Sequence, residues 1–191
     1  MSRSFRTRPK YIIAQERMPR DKQGQILFPR IIVRKPRPGD IHPLNRKMIA
    51  RAYDKLPLEY FYGLKEIELR ARSGDIGKPF GKYSHYAKKI ILYSVPDKKW
   101  NIENPPDDLI ESLRRYYAKI SNVAGGIVVE WEADFFLFMF YLSIFFHELG
   151  HHYVNQYRSK KKPPIDVYLN EWHADAQVIQ LQKYVFGKRI D

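Results

Sequence analysis

The chain has 191 residues, of which 44% are hydrophobic and 15% aromatic. That is enough apolar surface for one domain with its own core, and it excludes a wholly disordered chain. With no cysteine, disulfide frameworks, cysteine-ligated zinc and thiol nucleophiles are excluded, so any metal must be held by histidine and carboxylate. The net charge of +13 is uneven: residues 1–51 carry fourteen Lys or Arg against Glu16, Asp21 and Asp40, and the remainder is close to neutral.

The first residues are Arg-rich without the apolar stretch of a secretory signal, so the expected location is cytoplasmic. Pro9, Pro19, Pro29, Pro36 and Pro38 oppose continuous helix or central strand. Residues 1–41 therefore read as a basic, Pro-rich extension with short extended pieces at 11–14 and 26–33, joined to a domain over 42–191. Three readings of this arm stand side by side: binding of nucleic acid or an acidic partner through residues 1–51, plain solvation, and a cover over the active site.

Pro43 suits an early helical position, and Leu44, Met48, Ala52 and Leu56 recur at helical spacing, which predicts a helix to about Lys55. Residues 64–72 alternate and read as a strand with one wet face. Gly74, Gly77, Pro79 and Gly81 mark a loop, and 82–95 reads as a hairpin or bent strand. Asp107, Asp108 and Glu111 in a first turn favour a helix from about Pro105, running to near Gly125. Residues 127–131 are ambiguous. Residues 134–157 read as one helix, apolar almost all round and hence central. Its most apolar run, 135–146, is well short of the ~20 residues a membrane span needs. Residues 159–164 form a basic loop, and 170–186 a last helix.

Within the long helix lies His147-Glu148-Leu149-Gly150-His151, an H-E-x-x-H sequence. Residues four apart share a helical face, so both imidazoles can reach one ion, with Glu148 placed to act on its bound water without being a ligand. A third ligand decides the class. Metzincins need Gly and His where this chain has Val154 and Tyr157, so that class is rejected. Twenty residues after His151, Asn170-Glu171-Trp172-His173-Ala174-Asp175 opens the last helix, and Glu171 supplies the carboxylate of a His-His-Glu site. Asp175, one turn further, can accept the second ring N–H of a ligand histidine.

This motif set resembles the gluzincins of thermolysin type, over residues 134–186. A weaker likeness upstream, through Gly81-x-Tyr83 and the strand near 90–93, is to the compact minigluzincins, in which an edge strand lies over the metal cleft. The resemblance implies a zincin-like α+β fold, a small mostly antiparallel sheet packed on the motif helix and on the helix bearing the glutamate. It implies Zn2+ held by His147, His151 and Glu171, with Glu148 as general base, Asp175 orienting His147 and Asn170 supporting His151. The activity implied is hydrolysis of a peptide or protein bound at a sheet edge. For the donor that stabilises the oxyanion, Tyr153, Tyr157, Tyr168, His173 and Arg158 stay open. Among the other histidines, His152 points about 100° round the helix from His151 and reads as packing or surface. His173 reads as a ligand only if Glu171 is not one, and His85 as a surface residue or a neighbour of substrate. The competing function is a nucleic-acid-associated or regulatory binding protein with a structural zinc and the basic arm as its contact.

Overall fold

The computed structural model describes residues 9–74, 79–157 and 167–187 and, within these, all side chains but those of Val167 and Tyr168. The centre is α4 (Asp134–Tyr157), 24 residues long and opened by an acid in its first turn. Phe140, Tyr141, Phe145, Phe146 and Leu149 along it are almost fully buried, as a helix apolar on every face must be. On one side lies α5 (Val167–Phe186), its most extensive partner; on the other lie two strands of the larger sheet.

That sheet runs β1 (Arg30–Val33), β3 (Glu66–Arg70), β5 (Lys89–Tyr93), β4 (Gly81–Ser84). It departs from the expected mostly antiparallel arrangement, because β1–β3 and β3–β5 are both parallel and only β4–β5 is antiparallel. The cause is what connects the strands. Between β1 and β3 the chain passes through β2 (Asp40–Ile41) and helix α2 (Arg46–Lys55), and a crossover with a helix brings the chain back in the same direction, whereas a hairpin reverses it. The β4–β5 hairpin then inserts β5 beside β3 and leaves β4 as the edge.

The other pairings are antiparallel. β2 meets β6 (Val95–Pro96), and β7 (Trp100–Glu103) and β8 (Ala118–Val123) flank β9 (Gly126–Trp131). The expected helix to Gly125 stops early: α3 is Asp107–Arg115, and the chain turns at Tyr117 with φ 61°. The next six residues form β8, where register with β9 puts Ile120 against Val129. Long-range pairing to a formed strand outweighs the weak local preference of this stretch. Likewise α2 starts three residues after Pro43, because the Asn45 side chain accepts the N–H of Met48 at 3.0 Å and fixes the cap there.

The described part of the arm wraps the body. Tyr11 to Ala14, expected extended, lies in helix α1 (Lys10–Arg17), which packs on the single turn at Leu58–Tyr60. Lys10 Nζ sits 4.3 Å from the centre of the Tyr153 ring. Only Arg30 to Val33 of the second extended piece is strand, and it is a full member of the sheet.

The expected wet face of β3 is not wet. Glu68 is 3% exposed and Glu66 9%, beneath a lattice of cations. Arg70 grips Glu68 through two bonds of 3.0 and 2.8 Å, Arg30 and Lys89 meet Glu66 at 3.2 and 2.6 Å, Arg34 meets Glu68 at 3.5 Å, and Lys89 also contacts Glu68. The Arg70 hydrogen bond, against the opposing effect of burial, holds the Glu68 pKa down at about 2, from an ordinary 4.5. A carboxylate depressed on folding contributes stability that is full above its unfolded pKa and drains as pH falls toward the folded value. Between pH 4.5 and 2 the melting temperature of the wild-type chain is therefore expected to drop more steeply than that of Glu68→Gln, followed by circular dichroism; parallel slopes would remove Glu68 from the acid response.

Candidate metal centre

One helix face and one helix end meet at the site. At 3.6 residues per turn, His147 and His151 share the face of α4 that looks at α5, and the first turns of α5 bring Glu171 to them. His147 Nε2 lies 3.0 Å from His151 Nε2 and 3.0 Å from Glu171 Oε2, and His151 Nε2 is 3.4 Å from Glu171 Oε1. One ligand atom from each of the three residues falls within a 4.8 Å cluster, a group that can hold a metal ion.

The hydrogen bonds point the right atoms inward. His147 Nδ1–H donates to Asp175 Oδ1 at 2.8 Å, leaving the Nε2 lone pair facing the cluster. Two imidazole nitrogens 3.0 Å apart cannot both present bare lone pairs to each other, so a proton or a cation must sit among them. Burial works against the charged form of His147, but the Asp175 hydrogen bond and the charges of Glu148, Asp175 and Glu171 outweigh it and raise its pKa. At His151, burial and the neighbouring His147 charge lower it. One imidazole is thus favoured to take the proton while its neighbour stays neutral, which is the state a cation would relieve. Asn170 is close enough to favour the charged form of His151, yet Asn170 Oδ1 and His151 Nδ1 are both buried without a hydrogen-bond partner. Asn170 thus stands beside the His151 ring, as expected of a supporting residue, without closing a hydrogen bond through its Oδ1.

What lets Glu171 reach the histidines is the glycine inside the motif. A Cβ on Gly150 would stand 2.8 Å from Ala174 O and 2.9 Å from Ala174 Cα, and Ala174 is itself fully buried. Backbone atoms cannot swing aside as a side chain can, so α4 and α5 lie together at this point only because no methyl is there.

The next face of α4 serves the sheet. Glu148 is 7% exposed and lies against Gly81 of β4, where an added Cβ would meet Ile144 Cγ2 at 2.7 Å and Glu148 Oε1 at 3.0 Å. Burial pushes its carboxyl up to about 7, against the pull of the His147 charge and the Tyr83 backbone and with a further push from Glu171. One turn on, His152 is fully buried. Its Nε2–H donates to the Tyr62 carbonyl at 3.0 Å, which leaves Nδ1 to accept from the Tyr83 hydroxyl at 3.2 Å. Burial holds its pKa down at about 4, so this histidine is a neutral strut between α4 and β4.

Between these walls runs a cleft of about 490 Å3, lined by Gly81, Lys82, Tyr83 and His85 on the sheet side and by the three cluster residues, Glu148, Asn155 and Asn170 on the helical side. Of the candidate oxyanion donors, Tyr153 turns away to stack on Tyr60 at 4.5 Å, Tyr157 lies by Tyr62, and His173 packs on Trp172. Arg158 and the side chain of Tyr168 lie outside the described set. Sequence reasoning did not find the close approaches at Gly81 and Gly150 or the place of Asn155 in the cleft wall. The two glycines carried a signal, since an isolated Gly inside a strand or a helix marks close backbone approach; Asn155 carried none.

Comparison with protein-family models, with curated proteins and with solved structures returns no match for this chain. Among the described residues no helix is long and apolar enough to cross a membrane.

Replacing Gly by Ala inside a helix ordinarily stabilises by about 0.5–1 kcal/mol. At Gly150 the reverse is expected: Gly150→Ala lowers the melting temperature and weakens metal binding at least tenfold in competition with a chromophoric chelator. A variant that melts higher and binds metal unchanged would mean that the contact with Ala174 does not set the site. Asp175→Ala, which frees the His147 ring, is expected to lose about 10–100-fold in metal affinity with the fold intact.

Proposed function

We propose that this chain is a zinc-dependent peptidase of gluzincin type. The observation that carries the reading is the convergence of His147, His151 and Glu171 on one point with a buried, raised-pKa Glu148 beside it and an open strand edge opposite. Two imidazoles and one carboxylate with a remaining open side is the donor set of hydrolytic zinc. Tetrahedral zinc with bonds near 2.0–2.2 Å sets its donors about 3.3 Å apart, and the three separations here are 3.0, 3.0 and 3.4 Å. When bound, the ion supplies water acidification and carbonyl polarisation.

The protein's own groups do the rest. A carboxyl held near neutrality is matched to taking a proton from water and returning it to a leaving amine, and Glu148 is the group so placed. Its burial against Gly81 holds it at the cleft, and Asp175 keeps the His147 ring in one tautomer. The substrate is read as an extended peptide. Phe80 O accepts from Tyr93 N, so with the alternating antiparallel ladder the backbone groups of Gly81 and Tyr83 turn away from β5. The Tyr83 N–H turns to the Glu148 carboxyl; the Gly81 N–H and the carbonyls of Gly81 and Tyr83, on a strand of four residues, give a peptide a short ladder beside Glu148.

Glu148→Gln is expected to retain one zinc per chain by elemental analysis and to lose about 10²–10⁴ in hydrolysis of a fluorescence-quenched protein substrate. Hydrolysis at the wild-type rate in that variant, or a wild-type protein that takes up no zinc, would overturn the reading.

A further inference from the structure

The outer face of the larger sheet is the side turned away from α4 and α2. Strand alternation puts Ile31, Ile67, Leu69, Ile90 and Leu92 inward, where they join the core shared with both helices. The residues between them face outward, where the arginine side chains are largely exposed. Beside Ile32, Ile91 and Tyr93, it carries the lattice of Arg30, Arg34, Arg70 and Lys89 over Glu66 and Glu68.

This lattice is layered by depth. The two carboxylates are the buried members, while the side chains of Arg30, Arg34 and Arg70 are 79%, 65% and 42% exposed. Four cations over two acids leave the face net positive. Of its five N–H donors Arg30 uses one and Arg70 two on a glutamate, and Arg34 is held only by an ion pair at 3.5 Å. The ordering cost of these side chains is already met in the free protein, which is the condition for a pre-formed anion surface. Register places the arginines in adjacent strands: Arg30 lies opposite Glu66 on β1–β3, Arg34 N is bonded to Leu69 O just beyond, and Arg70 lies opposite Tyr93.

We propose that this sheet face is a nucleic-acid docking surface that grips the phosphate backbone through Arg30, Arg34 and Arg70. Guanidiniums spread over adjacent strands meet a polyanion that carries a charge at every step, and their planar forks match its phosphate oxygens. Two of the three arginines belong to the basic first fifty-one residues, whose charge attracts the same polyanion at longer range. The surface has no part in the metal centre, so its test is independent of the peptidase reading.

The test is fluorescence anisotropy of a fluorescein-labelled 20-base-pair DNA duplex with the full chain over a potassium chloride series. Each phosphate contact released by salt steepens the slope of log K against log salt by about 0.9. The variant Arg30→Gln/Arg34→Gln/Arg70→Gln is expected to flatten that slope by about two to three. A variant with the same charge change on the exposed side of α2, Lys47→Gln/Arg51→Gln/Lys55→Gln, is expected to shift it by less than one. If circular dichroism shows the first variant unfolded, Arg30→Gln/Arg34→Gln leaves Arg70 and Lys89 on Glu68 and is expected to flatten the slope by nearly two. Absence of duplex binding at low salt, equal flattening by the α2 variant, or tighter binding of a poly-glutamate peptide than of the duplex would each overturn the proposal.

Discussion

The site depends on one contact between two helices. Gly150 of α4 lies flush against the backbone of Ala174 on α5, closer than any side chain at that position would allow. Helices ordinarily pack with axes about 8–10 Å apart, the distance set by the side chains between them. Removing the side chain at the crossing brings the first turns of α5 down onto the histidine face, and Glu171 and Asp175 come with it, one to the histidine nitrogens and one to the back of the His147 ring. The glycine between the second and third functional positions of the motif thus shapes the candidate metal centre through the helix contact it permits.

Helix α4 divides its work by angle. Successive residues are about 100° apart, so the pair His147 and His151 looks at α5 while the pair Glu148 and His152 looks at the sheet. Each of the second pair is matched by a residue of β4: Glu148 fits against the missing side chain of Gly81, and His152 holds the Tyr83 hydroxyl. The edge strand is thereby fixed against the same helix that carries the histidines. The position of any peptide laid on that edge is tied to the helix through two rigid contacts rather than through a loop.

Charge is sorted by depth in a comparable way. Glu66 and Glu68 are buried in a sheet face that sequence alternation marks as exposed, and they are tolerable there because cations from three strands and the residue beyond β1 close over them. A buried carboxylate without such partners would be protonated or would be expelled. Part of the basic arm is therefore consumed structurally: Arg30 and Arg34 neutralise the sheet as well as charging its surface.

The features the sequence determined by itself are those governed by local periodicity. The bounds of α4, the shared face of His147 and His151, the one-turn offset of Asp175 from Glu171 and the basic bias of the first fifty-one residues all follow from 3.6-residue geometry or from composition, and neither needs a partner surface. Tertiary structure decided the rest. Whether 118–123 continued a helix or formed β8 depended on β9 being there to pair with it. The parallel course of β1, β3 and β5 followed from how a helical crossover and a hairpin share one sheet. The burial of Glu148, and the distances of 3.0 to 3.4 Å among the cluster atoms, are properties of two surfaces in contact. They arise from the close approaches at Gly81 and Gly150, and an approach is fixed by both partners at once, which no single stretch of chain encodes.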